Sequence, residues 1–159
     1  MDPKVAGLTA IESRAWVVLL SLTQALPTEL DRRLRPAGLT FTEYGSLIAL
    51  SEAPARTLKV NQIAQRTLSP LPRTSKIVRR LEARGLLVRS VCPSDSRAFN
   101  ITLTEAGRRA IVGALRIHAA DARELFLDRL TTEQLKDLAE ILGPAAVALG
   151  PDGPFAHPL

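Results

Sequence analysis

Residues 81–89 read Leu-Glu-Ala-Arg-Gly-Leu-Leu-Val-Arg, and this stretch predicts a helix that passes directly into a β-strand. Gly85 suits the position just after a helix, where the backbone commonly turns left-handed. Leu87–Val91 and Ala98–Leu103 are rich in β-branched residues, and the turn-forming sequence Cys-Pro-Ser-Asp-Ser-Arg separates them at 92–97. The pattern therefore predicts a helix followed by a β-hairpin.

Upstream of this stretch, the sequence predicts three short helices in close succession. The first runs from about Phe41 to Glu52, and the second covers about Val60 to Arg66. Ser69 followed by Pro70 predicts the N-cap and first residue of the third, which ends at Gly85. Three helices and a hairpin in this order are typical of a winged helix-turn-helix.

A long helix precedes this central part. Thr9 with Glu12 forms a capping box, as do Thr40 with Glu43 and Thr131 with Gln134 further along the chain. Pro27 predicts a kink or break in the first helix, which should end before Pro36. Its apolar residues recur at spacings of three and four and form one stripe: Ile11, Ala15, Val18, Leu22, Leu26, Leu30 and Leu34.

Two more helices follow the hairpin. Thr104 predicts the start of a helix that reaches about Arg129, and the last helix runs from about Thr132 to Leu142, before Gly143-Pro144. The apolar stripes of these helices and of the first helix have no obvious partner within the chain. We therefore expect them to pack against the same helices of a second copy, in a mainly α fold with a small β-hairpin wing.

Charge is unevenly distributed along the 159-residue chain, whose net charge is +5. Twelve Lys and Arg residues and three Asp and Glu residues lie between Arg56 and Arg109, whereas the rest of the chain has nine and thirteen. A basic middle flanked by acidic ends indicates a polyanionic partner such as double-stranded DNA, although a solvated basic surface has the same composition.

The helix after Pro70 has an apolar side and a cationic side. At about 100° per residue, the apolar side centres on Val78 and groups Leu71, Ser75, Leu81 and Glu82. The opposite side suits the major groove, where the first residues meet base edges and later cations meet phosphates. We expect Arg73 and Lys76 to read guanine. The predicted DNA-binding residues of this helix are Ser69, Arg73, Thr74, Ser75, Lys76, Arg80 and Arg84.

The hairpin tip strengthens the prediction of DNA binding, because an ordinary amphipathic surface helix would also place its cations outside. Arg97 lies on the tip, and arginine suits a narrow minor groove. Asp95 would repel phosphate by itself, so we interpret it either as orienting a neighbouring arginine or as forming an Asx turn. Asp95, Ser96 and Arg97 are therefore predicted to contact DNA.

Three motifs together resemble the MarR family of transcription regulators. Residues 81–89 resemble the exit of that family's recognition helix and its first wing strand. Asp-Ser-Arg at 95–97 resembles its D-x-R wing tip, and Ile-Thr-Leu-Thr-Glu-Ala-Gly at 101–107 resembles its L-T-x-x-G entry to the next helix. The resemblance covers about Ile11 to Leu142. One departure, Ser75-Lys76 where Thr-Arg is common, implies an altered base preference.

The resemblance implies a cytoplasmic homodimer that binds a (pseudo)palindromic operator, with recognition helices in successive major grooves and wings in the flanking minor grooves. It implies transcription regulation, usually repression that a small ligand relieves. It also places Trp16, Tyr44 and His118 between the dimer helices and the DNA-binding lobe, where we expect an aromatic or phenolic effector. The operator, the effector and the sign of regulation stay open at this point.

These inferences divide the chain into four parts. We expect an N-terminal dimerisation helix over residues 1–38, a winged helix-turn-helix DNA-binding region over 39–103, C-terminal dimerisation helices over 104–149, and a mobile tail over 150–159.

Other functions find less support in the sequence. It contains no Gly-rich phosphate loop, carboxylate dyad or metal-spaced His/Cys cluster, so we expect no catalytic residue, cofactor or metal. No apolar run approaches the ~20 residues of a membrane span, and the N-terminus does not resemble a signal peptide.

Two alternatives remain beside a DNA-binding regulator. The single cysteine, Cys92, excludes an intramolecular disulfide and fits a reducing cytoplasm, and nearby Arg89 and Arg97 would favour a redox-active thiolate there. A winged-helix module that binds protein would instead present exposed apolar or aromatic anchors on the third helix of the motif. None is evident between Arg73 and Arg84.

Overall fold

The computed structural model of the chain describes residues 5–92 and 95–150; for residues 92 and 95–98 it describes the backbone only. The helices are α1 (Ala10–Leu34), α2 (Phe41–Ser51), α3 (Val60–Arg66), α4 (Leu71–Ala83), α5 (Glu105–Leu125) and α6 (Thr132–Leu149). The strands are β1 (Thr57–Lys59), β2 (Leu87–Cys92) and β3 (Asp95–Leu103), which form one antiparallel sheet in the order β1-β3-β2. The predicted fold class, mainly α with a β-hairpin wing, is confirmed.

Local capping chemistry sets the starts of several helices. The capping boxes Thr9/Glu12, Thr40/Glu43 and Thr131/Gln134 all form, with each side chain satisfying the other residue's backbone N–H. Gly85 ends α4 with a φ of 71°, and the Leu86 N–H donates to the Leu81 carbonyl at 3.0 Å. Such ends are determined by a few neighbouring residues, which is why the sequence predicts them.

Two helices continue past prolines that were predicted to interrupt them. Helix α1 runs unbroken through Pro27, and α6 runs through Pro144 to Leu149, so the predicted break in α1 and the predicted end of α6 at Leu142 are wrong. An interior proline costs roughly 3 kcal/mol. In α1 the turns beyond Pro27 bury Leu30 and Leu34, which offsets that cost. In α6 the residues after Pro144 are mostly alanine, the best helix former.

Strand β1 was not predicted. It is only three residues long, and it adds an edge to the hairpin by pairing Thr57 with Thr102 and Leu58 with Ile101. The hydroxyl oxygens of Thr57 and Thr102 lie 2.8 Å apart, and Leu58 is buried. A strand this short shows too little alternation to be recognised from sequence.

The core lies between the helices of the central motif and the sheet. Its large fully buried hydrophobic residues are aliphatic, in keeping with the low aromatic content: Leu34, Leu47, Leu50, Ile63, Val78, Leu81 and Ile101. The start of α5 passes very close to the sheet at Gly107, where an added Cβ would lie 2.3 Å from the Leu86 carbonyl oxygen. Only glycine fits there, so Gly107 anchors α5 against the wing.

The long helices outside this core keep many apolar side chains exposed. Ile11 of α1 is 84% exposed, Val112 and Leu115 of α5 are about half exposed, and Ile141 of α6 is 71% exposed. Helix α6 has no buried residue. Within residues 5–92 and 95–150, no helix combines the length and the apolar character that crossing a membrane requires.

Candidate nucleic-acid interface

Helix α4 begins one residue later than expected, and this changes the roles of its first residues. Pro70, not Ser69, is the N-cap, and it supplies no side-chain cap. The Ser69 hydroxyl is buried and has no hydrogen-bond partner among the described residues. Thr74 is fully buried, and its hydroxyl donates to the Pro70 carbonyl at 3.2 Å. Neither hydroxyl therefore faces the solvent, as contact with DNA would require.

The apolar side of α4 is also rotated from the predicted one. Its buried residues are Thr74, Ile77, Val78 and Leu81, whereas Leu71 is 49% exposed and Ser75 is half-buried. Val78 is buried as expected but lies at one edge of the buried side, and Leu71 does not belong to it. Periodicity gives the face of a helix only approximately, because the packing of α3 and the sheet fixes its final rotation.

The exposed side of α4 is strongly cationic, and we call it the α4 front: Arg73, Lys76, Arg79 and Arg80. An Arg73 guanidinium N–H donates to the Thr42 hydroxyl of α2 at 3.2 Å, which directs this side chain along the α2 N-terminus. Arg79 instead donates to the Ser75 carbonyl of its own helix at 3.3 Å. Arg73 and Lys76 are therefore presented together near the start of α4.

Arg80 and Arg84 are held by an acidic residue that the sequence analysis did not assign to the site. Arg80 Nε donates to Glu43 Oε1 at 2.6 Å, and Arg84 Nη1 lies 3.5 Å from the same oxygen. Arg84 Nη2 also donates to the Gly38 carbonyl at 2.8 Å. The sequence shows Glu43 as part of a capping box, but nothing in it reveals the contact with α4.

A cavity of about 780 Å³ opens between the second half of α1, the start of α2 and the α4 front. Arg32 of α1 and Arg35, the residue after α1, line it together with Arg73, Lys76 and Arg80. The cationic surface thus extends from α4 onto α1, beyond the residues predicted from sequence. Arg32 is paired with Glu29, so its charge is partly neutralised.

One cation of the wing, Arg89, is paired within its own chain. Arg89 of β2 lies 3.3 Å from a Glu82 oxygen and sits over the Phe99 ring at 5.1 Å, so its charge is directed inward along the wing. The predicted roles of Cys92, Asp95, Ser96 and Arg97 lie outside the described side chains. They stay predictions.

The arrangement of helices and wing matches known regulators of transcription. The MarR family model matches residues 37–98. An HTH-type transcriptional repressor of Mycobacterium bovis is 31% identical over 126 residues, which cover 79% of this chain and 88% of that protein. The chain belongs to the MarR family.

Solved structures of MarR proteins agree with this over most of the chain. AbsC, a MarR family transcriptional regulator from Streptomyces coelicolor, is 32% identical, with a TM-score of 0.82 over 91% of this chain and 98% of that one. Sco3205, from the same organism and solved in complex with DNA, is 35% identical, with a TM-score of 0.83 over 91% of each chain. The prediction of a DNA-binding transcription regulator is confirmed, and MarR proteins are regulators rather than enzymes.

Two of the three predicted effector residues of this MarR protein meet where α2 faces α5. The ring centroids of Tyr44 and His118 lie 4.9 Å apart, and Phe41 lies 5.8 Å from His118. Trp16 is 48% exposed and precedes Arg33 by 17 residues of α1, or about 25 Å along the helix. Because Arg33 contacts α5 one turn beyond His118, the Trp16 of the same chain is remote from this pair.

Burial shapes the chemistry of this aromatic cluster. It lowers the pKa of the His118 imidazole below its ordinary value, although the Asp121 carboxylate opposes the shift. Burial, with a smaller effect of Glu52, raises the pKa of Tyr44. Both rings are therefore neutral at pH 7. His118 Nδ1 and Asp121 Oδ2 are buried without a hydrogen-bond partner among the described residues.

An ion-pair network beside this cluster joins α1 to α5. Arg33 contacts Asp121 at 3.1 Å and Glu124 at 2.8 Å, and it also pairs with Glu29 of its own helix. Hydrogen bonds from Arg32 and then Arg33 lower the pKa of Glu29 to about 2. The network fixes the second half of α1, which also forms one wall of the cavity, against α5.

Proposed function

We propose that this MarR protein is a homodimeric repressor whose α4 front reads an operator in the major groove. The observation that carries this proposal is the pair Arg73 and Lys76, exposed at the start of a helix whose opposite side is buried in the core. Base-reading residues are commonly found at this place in helix-turn-helix proteins. The Mycobacterium bovis relative is a repressor, which supports the same sign of regulation here.

The exposed apolar helices support a dimer. Ile11, Val112, Leu115 and Ile141 lie on α1, α5 and α6, and α6 buries none of its residues within its own chain. Leaving this much apolar surface in water is unfavourable, and a second copy would cover it. We accordingly retain residues 1–38 and 104–149 as dimerisation regions and residues 39–103 as the DNA-binding region. Action on DNA also supports a cytoplasmic location.

The wing supplies a second part of the proposed interface. The hairpin β2–β3 extends from the core beside α4, and residues 95–97 lie at the start of β3. We propose that Arg97 enters the minor groove next to the bases that α4 reads, with Asp95 and Ser96 beside it. Thr74 and Ser69 are left out of this interface because their hydroxyls are buried.

A binding-site selection from random duplex DNA tests the proposed function. We expect it to enrich an inverted repeat whose half-site centres lie about 10 base pairs, or a multiple, apart, because a symmetric dimer presents two recognition helices. A single half-site or a direct repeat would contradict the symmetric dimer. No enrichment over several rounds would contradict sequence-specific binding and favour the alternative of a protein-binding module.

We further propose that an aromatic or phenolic effector binds beside Tyr44 and His118. The two buried polar atoms without partners, His118 Nδ1 and Asp121 Oδ2, would bond to its hydroxyl group. A protein of the same fold, CouR from Rhodococcus jostii, has been solved with p-coumaroyl-CoA bound; it is 24% identical to this chain, with a TM-score of 0.74. The site lies where α2 meets α5, so a bound effector would change the angle between the DNA-binding region and the dimerisation helices.

We expect phenolic ligands to weaken operator binding and the variants Tyr44→Leu and His118→Leu to reduce that response by at least about tenfold, since the first loses the aromatic contact and the second a buried hydrogen bond to the ligand. Fluorescence anisotropy of a labelled operator, with and without ligand, measures the response and the ligand-free affinity separately. Trp16→Phe is the control, because Trp16 is an aromatic residue that lies far from Tyr44 and His118 of the same chain. A response that survives in both Tyr44→Leu and His118→Leu would place the effector elsewhere.

A further inference from the structure

Glu43 is a buried acid that faces the proposed DNA-reading helix. It lies in the first turn of α2 and is 2% exposed. Its Oε2 accepts the Thr40 backbone N–H at 2.8 Å, which completes the capping box. Its Oε1 is turned in the other direction, towards α4. A buried carboxylate is costly unless it is paired and hydrogen-bonded, so what Oε1 contacts matters.

That second oxygen contacts two arginines one turn apart, Arg80 of α4 and Arg84 just after its end. Arg80 Nε donates to it at 2.6 Å, and Arg84 Nη1 approaches to 3.5 Å. The side chains of Arg80 and Arg84 are 56% and 39% exposed, whereas that of Glu43 is 3% exposed. The pairing thus has one end inside the protein and the other on its surface. Arg80 also lines the cavity beside Arg73 and Lys76, so it belongs to the α4 front.

This geometry has two consequences for a helix that meets DNA. Because Nε is bound to Glu43, the orientation of the planar Arg80 guanidinium is fixed, and its terminal N–H groups remain as donors. The Glu43 carboxylate also neutralises one positive charge of the Arg80–Arg84 pair near the protein surface. A fixed Arg80 guanidinium favours contacts that form only when α4 is aligned with a particular stretch of DNA. Additional positive charge favours binding to any duplex, because non-specific affinity follows the number of phosphates neutralised.

We propose that Glu43 is a positioning residue for operator recognition, which fixes Arg80 and restrains the charge of the α4 front so that specific sites are favoured over random duplex. The proposal rests on the proposed function, in which α4 enters the major groove. It adds that discrimination depends on a residue that does not touch DNA and lies on another helix.

A purely structural role for Glu43 would give a different result. If the residue only capped α2, its replacement would lower the folded fraction and weaken the binding of all duplexes in parallel. A positioning role changes the ratio of specific to non-specific affinity and the salt dependence, neither of which depends on the folded fraction.

The test uses the full-length variant Glu43→Gln, whose amide oxygen can still accept the Thr40 N–H. We measure affinity for the selected operator and for a scrambled duplex over a range of salt concentrations. Affinity for the scrambled duplex should rise about threefold or more, and its slope of log K against log salt should steepen by about 0.9, the value for one additional phosphate contact. The ratio of specific to non-specific affinity should fall about tenfold. An unchanged ratio and slope would overturn the proposal.

Glu82→Gln is the matched control, because it removes a carboxylate from α4 itself without touching the Arg80 contact. We expect its ratio of affinities to stay within about twofold of wild type. A fall as large as that of Glu43→Gln would show that net charge alone is responsible and would overturn the positioning role. In an Arg80→Ala background, Glu43→Gln should lose most of its effect on the ratio.

Should Glu43→Gln fail to fold, Arg80→Lys addresses the same contact from the surface. It keeps the charge but replaces the planar guanidinium with a compact ammonium. The ratio should then fall with little change in the salt slope, and an unchanged ratio would overturn the proposal. If substitutions at Arg73 and Lys76 alter base preference but Glu43→Gln and Arg80→Lys leave the ratio of specific to non-specific affinity unchanged, only the Glu43 proposal fails. If the substitutions at Arg73 and Lys76 also leave base preference unchanged, the proposal that α4 reads bases is wrong.

Discussion

Replacing Ile141 with Asp is expected to convert the dimer into monomers and to weaken operator binding by at least about 100-fold. Ile141 is 71% exposed in the isolated chain, so a carboxylate there costs the monomer little. In the proposed dimer the same position is covered by the partner, where an unpaired charge is strongly unfavourable. A monomer then binds only one of the two half-sites of the operator. Linking two binding events in one molecule commonly raises affinity by a factor of about 10² to 10⁴.

Sedimentation velocity reports the oligomeric state, and anisotropy on full and half operators reports the affinity. Lys136→Asp is the control, because it places the same residue on an exposed polar position of the same helix. Leu115→Asp repeats the test on α5, where the side chain is 50% exposed. If both Ile141→Asp and Leu115→Asp remain dimers with wild-type affinity, these helices do not form the interface.

Point substitutions are a cleaner test than removal of residues 11–30, although that deletion should also abolish dimerisation and specific binding. Deletion would take away Leu30, which is buried in the core, and Glu29, which pairs with Arg33. Loss of DNA binding would then have two explanations, an unfolded lobe or a missing partner. The exposed positions Ile141 and Leu115 avoid this ambiguity.

The features that the sequence predicts well are the ones decided by neighbouring residues. Helix α3 has the predicted bounds Val60–Arg66, and the capping boxes at Thr9 and Thr40 form as expected. In each case the residues that make the contact lie within one or two turns of each other. The L-T-x-x-G motif likewise combines the Thr104 N-cap with the close approach at Gly107.

The features that the sequence does not predict depend on residues far apart in the chain. Helix α1 survives Pro27 in part because Arg33 is bound by Asp121, 88 residues later. Glu43 reaches Arg80 across 37 residues, so its sequence context shows only the capping box. The rotation that buries Thr74 is set by packing rather than by the pattern of α4 itself. The polar network at the interface therefore emerges only from the folded chain.

The substitutions Arg73→Ala and Lys76→Ala should each weaken binding to the best operator by about 5- to 150-fold, corresponding to the ~1–3 kcal/mol of a good base-edge contact. Both residues are exposed at the start of α4, where a recognition helix approaches the bases. Each loss should be confined to particular base pairs, because only the contacted base distinguishes wild type from variant. On an operator already changed at that position, the variant and wild type should bind almost equally.

Arg79→Ala is the matched control for charge. It removes one cation from the same helix, but Arg79 lies farther from the start of α4 than Arg73 and Lys76, and it donates to the Ser75 carbonyl. We expect it to leave base preference unaltered, with at most a uniform decrease that shrinks at high salt. The measurement is an affinity matrix of the three variants against operators with single altered base pairs, at two salt concentrations. Uniform losses in Arg73→Ala and Lys76→Ala, matching those of Arg79→Ala, would mean that these side chains bind phosphates and that α4 does not read bases through them.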